Sequence, residues 1–455
     1  MFIPKFPLKL DPNFSPAILF FKDFKKRVLE SGKAEPISIV VEREDGFNES
    51  YDTFIFKGEE HLNENLFYIE RLVKSLLWIY GGYKVIIVGS KTIYEAIKDI
   101  YEDGIRVFDS KFMGRVYDQK FEVLHATQKP ALKSNDQPIG RNLEGYRIGF
   151  DAGGSDMKVS AVIDGNPIFS TEIVWHPKLN SNPEYHKKYI REAIETAKNQ
   201  MPRLDAIGVS SAGIYIKNQA KVASLFIQVP DDEFDKHIKN IYIDIANEYG
   251  VPIEVANDGD VTALAGAMSL NKTKLLGIAM GTSEAVGYIN SKGNITGWLN
   301  ELAFVPVDFQ SEGPIDEWSG DVGTGNKYFS QDAVIRLAEK CGITFDDAMP
   351  LAERLKVVQN LDPNSEIYQD IYTTIGTYLG FGLAYYSEFY DVEEVLLLGR
   401  VLSGVGGDII VKVAKETLMK EFPELGKKMN LFTPDEKTRR VGQSVAAASL
   451  PKLVK

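Results

Sequence analysis

The chain has 455 residues, room for two or three domains, and its 44% hydrophobic and 25% charged content fits a globular fold. A formal net charge of −12 argues against a nucleic-acid partner. The single cysteine, Cys341, excludes a disulfide framework and a cysteine-built zinc site, and points to a reducing, cytoplasmic setting. No apolar run reaches the ~18 residues of a membrane span, and the proline-rich N-terminus lacks a signal peptide's basic start and cleavage site, so no membrane partner is expected.

In chain order, residues 37–41 and 53–56 predict strands, 65–79 an amphipathic helix, 83–88 a strand and 93–101 a helix. These make an α/β accessory domain over 1–126. The polar stretch TQKPALKSNDQPIGRNLEG, 127–145, reads as a linker.

Next comes IGFDAGGSDMKVSAVIDG, residues 148–165. The segment after its glycines alternates with period two. It is therefore a strand, and not the helix that would follow a P-loop or a dinucleotide fingerprint. Asp164-Gly165 closes a hairpin into a third strand, 167–174. Glycines in the first turn would let backbone amides approach phosphate, with Asp151 at the strand end for a metal ion or its water shell. An ordinary Gly-Gly hairpin turn is the plain alternative.

Helix 183–200, strand 206–209, a possible strand at 226–229, helix 230–249, strand 253–256 and helix 260–270 are predicted next. The cycle then restarts. Strand 275–280 ends in Gly281-Thr282-Ser283, and 285–289 returns. Helices follow at 331–338, 344–356 and 368–390. Strand 395–398 ends in Gly399, ahead of Gly404, Gly406, Gly407 and a long helix. A β-β-β-α-β-α-β-α plan thus runs twice, over lobes 146–262 and 263–455, with the last helix free to return to the first lobe. Two such lobes would place their glycine turns at one cleft. Residues 84–90 echo 206–211, so the front segment is either a third copy of the plan or an unrelated accessory domain.

These residues resemble the sugar kinase, heat-shock ATPase and actin superfamily, and within it the ROK family (repressors, open reading frames, kinases). Asp151-Ala152-Gly153-Gly154-Ser155-Asp156-Met157-Lys158 is similar to the family's first phosphate motif. Glu254-Val255-Ala256-Asn257-Asp258 is similar to its E-N-D-A-N motif, and Met280-Gly281-Thr282-Ser283 to its second phosphate motif. Leu397-Leu398-Gly399-Arg400 with Gly404–Gly407 resembles its adenosine-side glycines.

The resemblance implies an α/β fold of duplicated ribonuclease H-like, actin-like ATPase lobes. It implies ATP and Mg²⁺ as cofactors, a small-molecule sugar as partner, and a chain free to form homo-oligomers. The nucleotide would be held by Asp151 (with Mg²⁺), Gly153, Gly154, Ser155, Lys158, Gly281, Thr282, Ser283, Gly399, Gly404, Gly406 and Gly407. Asp258 would be the general base that takes the proton of a sugar hydroxyl, with Asn257, Glu301 and Asn326 on the sugar. The alternative for Asp258, or for Asp260, is a helix cap.

The departures are plain. The histidine of the family's E-x-G-H motif is Phe304, its cysteine cluster is replaced by Ser319–Asn326, and Asn326 stands where a glutamate is usual, so no zinc site is expected. Glu301 is either a hydroxyl acceptor or a surface carboxylate. Trp298 and Trp318 are either core or a platform for a sugar ring. The five histidines show no ligand spacing.

The reading is a carbohydrate kinase. Its rivals are a non-catalytic sugar or nucleotide sensor, and an ATPase with a mechanical output. An iron–sulfur activator of the same fold is excluded, because Cys341 alone cannot hold a cluster.

Overall fold

The computed structural model describes residues 4–5, 8–134, 138–434 and 436–453. Residues 135–137 of the expected linker lie outside them. The chain forms two compact units. Unit 1 comprises Met1–Asn135, Ile278–Ala285 and Trp298–Phe432. Unit 2 comprises Asp136–Gly277, Val286–Gly297 and Thr433–Lys455.

Unit 1 opens with helix Ala17–Glu30 and a sheet of β1 (Ala34–Glu42), β2 (Asn48–Phe56), β3 (Lys84–Val88) and β4 (Glu122–Ala126), in order β2-β1-β3-β4. β1 and β2 form a hairpin, and β3 runs antiparallel to β1. In a third copy of the repeat these two strands would be parallel, so the front segment is not one.

Helix Leu62–Tyr80 carries Glu70, Arg71, Lys74 and Trp78 inward. Arg71 pairs with Glu70 (2.6 Å) and Asp321 (3.2 Å), Arg106 pairs with Asp321 (2.9 Å) and Glu70, and Lys74 pairs with Asp109 (2.9 Å) and Asp321 (3.1 Å). Lys74 is 0% exposed and Asp321 7%. Three carboxylates and three cations are thus buried as a formally neutral group, the arrangement under which buried charge is tolerated. Trp78 donates its indole N–H to Asp109 and stacks on Phe304 at 4.2 Å. Phe304 is therefore core where the family's motif has histidine.

Unit 2 is built on β5 (Tyr146–Ala152), β6 (Asp156–Ile163), β7 (Asn166–Val174), β8 (Ala206–Ser211), a side hairpin of β9 (Ile214–Ile216) and β10 (Gln219–Val222), and β11 (Ile253–Asn257). The sheet order is β11-β8-β5-β6-β7. β6 is antiparallel to β5 and β7, while β8 is parallel to β5 and to β11, the ribonuclease H-like arrangement.

Alternation sorts the two faces of this sheet. Ile148, Phe150, Ile207 and Val209 enter a core with Trp175, Ile190, Ile194 and Tyr242. The opposite face shows Arg147, Gly149 and Asp151 on β5, with Gly208 and Ser210 on β8. Helix Glu436–Ala448 lies here. Gly149 and Gly208 are paired neighbours, and a Cβ on either would collide with a carbonyl of that helix, of Ser444 or of Ala447. Glycine is required because backbone meets backbone. The Arg147 guanidinium donates to the carbonyls of Ala448 (3.3 Å) and Pro451 (2.7 Å), satisfying acceptors at the helix end.

The remaining sheet has β12 (Leu275–Met280), β13 (Glu284–Ile289), β14 (Glu394–Leu398) and β15 (Asn430–Phe432), in order β13-β12-β14-β15. After β13 the expected third strand of the repeat does not form. Residues 290–330 hold isolated bridges and the short turns Leu302–Phe304 and Gly325–Lys327.

Three further expectations change. Residues 226–229 are not a strand, since Ser224–Phe226 is a 3-10 turn. Helix 230–249 is broken into Asp231–Glu233, a π turn Phe234–Ile238 and Ile241–Tyr249. Helices Ala17–Glu30 and Val107–Tyr117 appear where none was predicted. Among the described residues no helix is long and apolar enough to cross a membrane.

Candidate functional site

The candidate residues fall in both units, and each group is built within its own. In unit 2, β5 ends at Ala152, and Gly153, Gly154 and Ser155 turn the chain into β6. The Gly153 amide closes the turn on the Asp156 carbonyl (3.0 Å), and a Cβ at 153 would sit 2.8 Å from that oxygen. Gly154 and Ser155 are exposed at the tip. Buried Trp175 ties the turn down. Its amide donates to the Ser155 carbonyl (3.2 Å) and its indole to the Gly153 carbonyl (2.8 Å). Lys158 is the cross-strand neighbour of Asp151.

Asp151 accepts from the Ser210 hydroxyl (2.7 Å) and the Gln443 amide (3.0 Å) on one carboxylate oxygen. The same amide group contacts the Ser210 hydroxyl (3.0 Å) and the Asp258 carbonyl (3.4 Å). Burial pushes Asp151 up to about 6. The Ser210 hydrogen bond opposes that shift, the charge of Asp258 adds to it, and Lys158 offsets it.

Asp258 is the first residue of helix Asp258–Leu270, directly after β11. The N-cap is Asn257, whose side-chain oxygen accepts from the Gly259 amide at 2.7 Å while its NH₂ donates to the Gly213 carbonyl at 2.7 Å. Asp258 also accepts from Gly259, at 3.1 Å. Asp260 is buried and accepts from the Tyr288 amide (3.2 Å). Capping is therefore already served by Asn257. Burial pushes the Asp258 carboxyl up, and amide hydrogen bonds and the charge of Lys178 oppose the shift.

In unit 1, Gly281, Thr282 and Ser283 link β12 to β13. Gly281 donates to the Ser283 carbonyl (3.2 Å), and Thr282 and Ser283 are exposed. The next residue, Glu284, is buried, and burial pushes it up to about 8, with the charge of Glu301 adding to the shift. Its amide donates to the Asn326 side-chain oxygen (3.2 Å), and Gly325 leaves room for its carboxyl. Glu301 and Asn326 thus surround a third residue that sequence reasoning passed over.

Gly399 has φ 106°, and a Cβ there would strike the Met280 backbone. Gly404, φ 71°, borders open space, whereas Gly406 packs on the Tyr372 ring and Gly407 on the Leu402 backbone. Packing alone accounts for glycine at 406 and 407. Trp298 donates to Glu49 (3.1 Å) and packs on Tyr80, while Trp318 is 61% exposed beside Phe304.

Among the described residues no group of three or more His, Cys, Asp or Glu is placed to hold a metal. Mg²⁺ asks for less, typically one or two carboxylates with water and phosphate oxygens completing its shell. Asp151 offers such a carboxylate at the end of β5, close enough to Asp258 for that charge to push the Asp151 carboxyl up, so the residues present fit that need. Ser210, Gln443, Glu284 and Lys178 were the residues missed. Only Ser210 gave a signal, as a hydroxyl at a strand's carboxyl end.

No family model matches the sequence, and no curated protein matches it. Solved structures do. The chain is similar to the ROK hexokinase from Thermus thermophilus, at 17% identity over 67% of this chain and 97% of that one, with a TM-score of 0.53. It is also similar to a ROK-family transcriptional regulator described as a homologue of the E. coli MLC protein. That match has 16% identity over 68% and 78% of the two chains, with a TM-score of 0.51. The chain therefore has the α/β, actin-like ATPase fold of ROK proteins.

Proposed function

We propose that this chain is an ATP-dependent kinase that transfers the γ-phosphate to a hydroxyl of a sugar or sugar-like substrate, with Asp258 as general base. The observation that carries this is the division of labour at the end of β11. Asn257 caps the helix, which leaves the Asp258 carboxylate for chemistry within one unit with the Asp151 turn. A carboxylate in hydrogen-bond reach of a hydroxyl takes its proton as that oxygen attacks phosphorus, help worth roughly 10²- to 10⁴-fold. Asp151, kept in place by Ser210 and Gln443, would hold Mg²⁺ or its water shell, and the bound ion would neutralise phosphate charge. Amides of Gly153, Gly154 and Ser155 would meet phosphate oxygens, as would those of Gly281, Thr282 and Ser283. Gly399 and Gly404 would lie against the nucleoside. Glu301 and Asn326, beside Glu284, would meet sugar hydroxyls. We place the reaction in the cytoplasm, where ATP is supplied.

Likeness to a regulator of the same fold, and Phe304 in the core in place of histidine, support a second reading as a sugar sensor. One assay separates the two. Phosphate transfer from ATP is measured over a panel of hexoses, amino sugars and polyols, for the parent and Asp258→Asn. The kinase reading expects transfer by the parent, and a kcat at least roughly 10²-fold lower in the variant with sugar binding kept. A parent that binds sugar but transfers nothing establishes the sensor. A variant as active as the parent removes Asp258 from the chemistry.

A further inference from the structure

We infer that Lys178 is a phosphate-binding residue, its ammonium seated over the β5–β6 turn to pair with the terminal phosphate of a bound nucleoside triphosphate. The inference deepens the kinase reading and rests on it for the identity of the ligand.

The first support is placement. Lys178 follows β7 at a distance in sequence from the turn, yet its Cε lies 3.5 Å and its Nζ 3.8 Å from where a side chain on Gly154 would begin. The backbone that carries it is tied to the turn. Trp175, three residues earlier, is buried and makes two hydrogen bonds to carbonyls of the turn. Pro177, also buried, starts the 3-10 turn Pro177–Leu179. That turn is closed by the Leu179 amide on the His176 carbonyl (3.2 Å) and by the Asn180 side chain on the same oxygen (2.7 Å). Lys178 is thus carried on a short braced segment attached to the phosphate turn.

The second support is charge. Around the turn stand three carboxylates, Asp151, Asp156 and Asp258, a poor reception for a polyanion. Lys158 is the cross-strand partner of Asp151, and its charge partly offsets the upward shift of that carboxyl. Lys178 is an exposed cation beside the tip of the turn at Gly154. A terminal phosphate resting on the Gly154 and Ser155 amides would find its counter-charge there. The ammonium, a compact point charge with three donors, suits a phosphate oxygen.

Titration calorimetry with Mg-ATP, Mg-ADP, AMP and inorganic phosphate, on the parent, Lys178→Met and Lys178→Arg, tests the inference. The side chain is exposed, so both variants should fold as the parent does. Lys178→Met should lose about 10- to 100-fold in ATP affinity, the scale of a charge-assisted hydrogen bond, with AMP unchanged and Lys178→Arg within a few-fold of the parent.

Unchanged ATP affinity in Lys178→Met overturns the inference and leaves the kinase reading standing. Equal losses for ATP and AMP overturn it too, by showing a general defect. Loss confined to inorganic phosphate assigns the residue to free phosphate and overturns the nucleotide assignment. A parent that binds ATP in a Lys178-dependent way but transfers nothing defeats the kinase reading alone. A parent that binds no nucleotide defeats both.

Discussion

Replacing Asp321 by Asn should be the most destabilising single change in unit 1 that alters neither size nor hydrophobicity. Asp321 faces Arg71, Lys74 and Arg106 at 3.2, 3.1 and 2.9 Å, 7% exposed. With Glu70 and Asp109 completing the group, three negative charges balance three positive ones. Asparagine keeps the shape and one acceptor oxygen but leaves a net buried positive charge, and breaking a buried pair in this way costs about 3–5 kcal/mol. Arg106→Met alone leaves the opposite imbalance, against Glu70 and Asp321. The double variant is neutral again, so its loss should fall short of the sum of the single losses by about 1–3 kcal/mol, the range for residues sharing one network. Urea unfolding followed by tryptophan fluorescence is the assay, since Trp78 donates to Asp109 within the group. Asp321→Asn within about 0.5 kcal/mol of the parent, or a strictly additive double variant, would refute the argument.

Two further outcomes are expected. Asp151 is pushed up to about 6, against an unfolded aspartate near ~3.9, so the folded protein holds this proton more tightly and its stability should fall as pH rises from about 4 to 6. Asp151→Asn, whose side-chain oxygen can still accept from Ser210 and Gln443, should therefore melt higher than the metal-free parent at pH 7 and equal it at pH 4. Parallel melting curves across that range would show that Asp151 ionises normally. Gly208→Val should displace helix Glu436–Ala448, at a cost of about 1–3 kcal/mol or more. Unchanged hydrogen exchange over residues 442–448 in that variant would mean the helix does not need the glycine seat.

The turn at Gly153-Gly154 and strands β5, β6, β8 and β11 were legible because alternation and glycine are local signals. Asp258 was legible as a residue, but its freedom from capping was not, because that depends on Asn257 reaching both Gly259 and Gly213. Gln443 and Asp151 are 292 residues apart, and Lys178 reaches Gly154 from beyond two intervening strands, β6 and β7. No window of sequence holds either pair. The β9–β10 hairpin escaped notice because its turn places Lys217 and Asn218 at positive φ, without the Asn-Gly or Asp-Gly signature usual there. The direction of β3 against β1 was likewise hidden, since an apolar strand reads the same in either sense.

The glycine seat under the last helix also has a consequence for synthesis. The sheet of unit 2 is complete once residue 257 has been made, yet the face holding Gly149 and Gly208 waits for residue 448 to be covered. At ~5–20 residues per second, about 10–40 s of translation separate the two events. Through that interval the sheet exposes a side-chain-poor strip at Gly149 and Gly208, beside an Arg147 guanidinium that still lacks its acceptors at Ala448 and Pro451. Such a strip invites a wrong partner until the last helix covers it. Slowing translation between these points should raise aggregation of this chain, and supplying residues 433–455 as a separate peptide should suppress it.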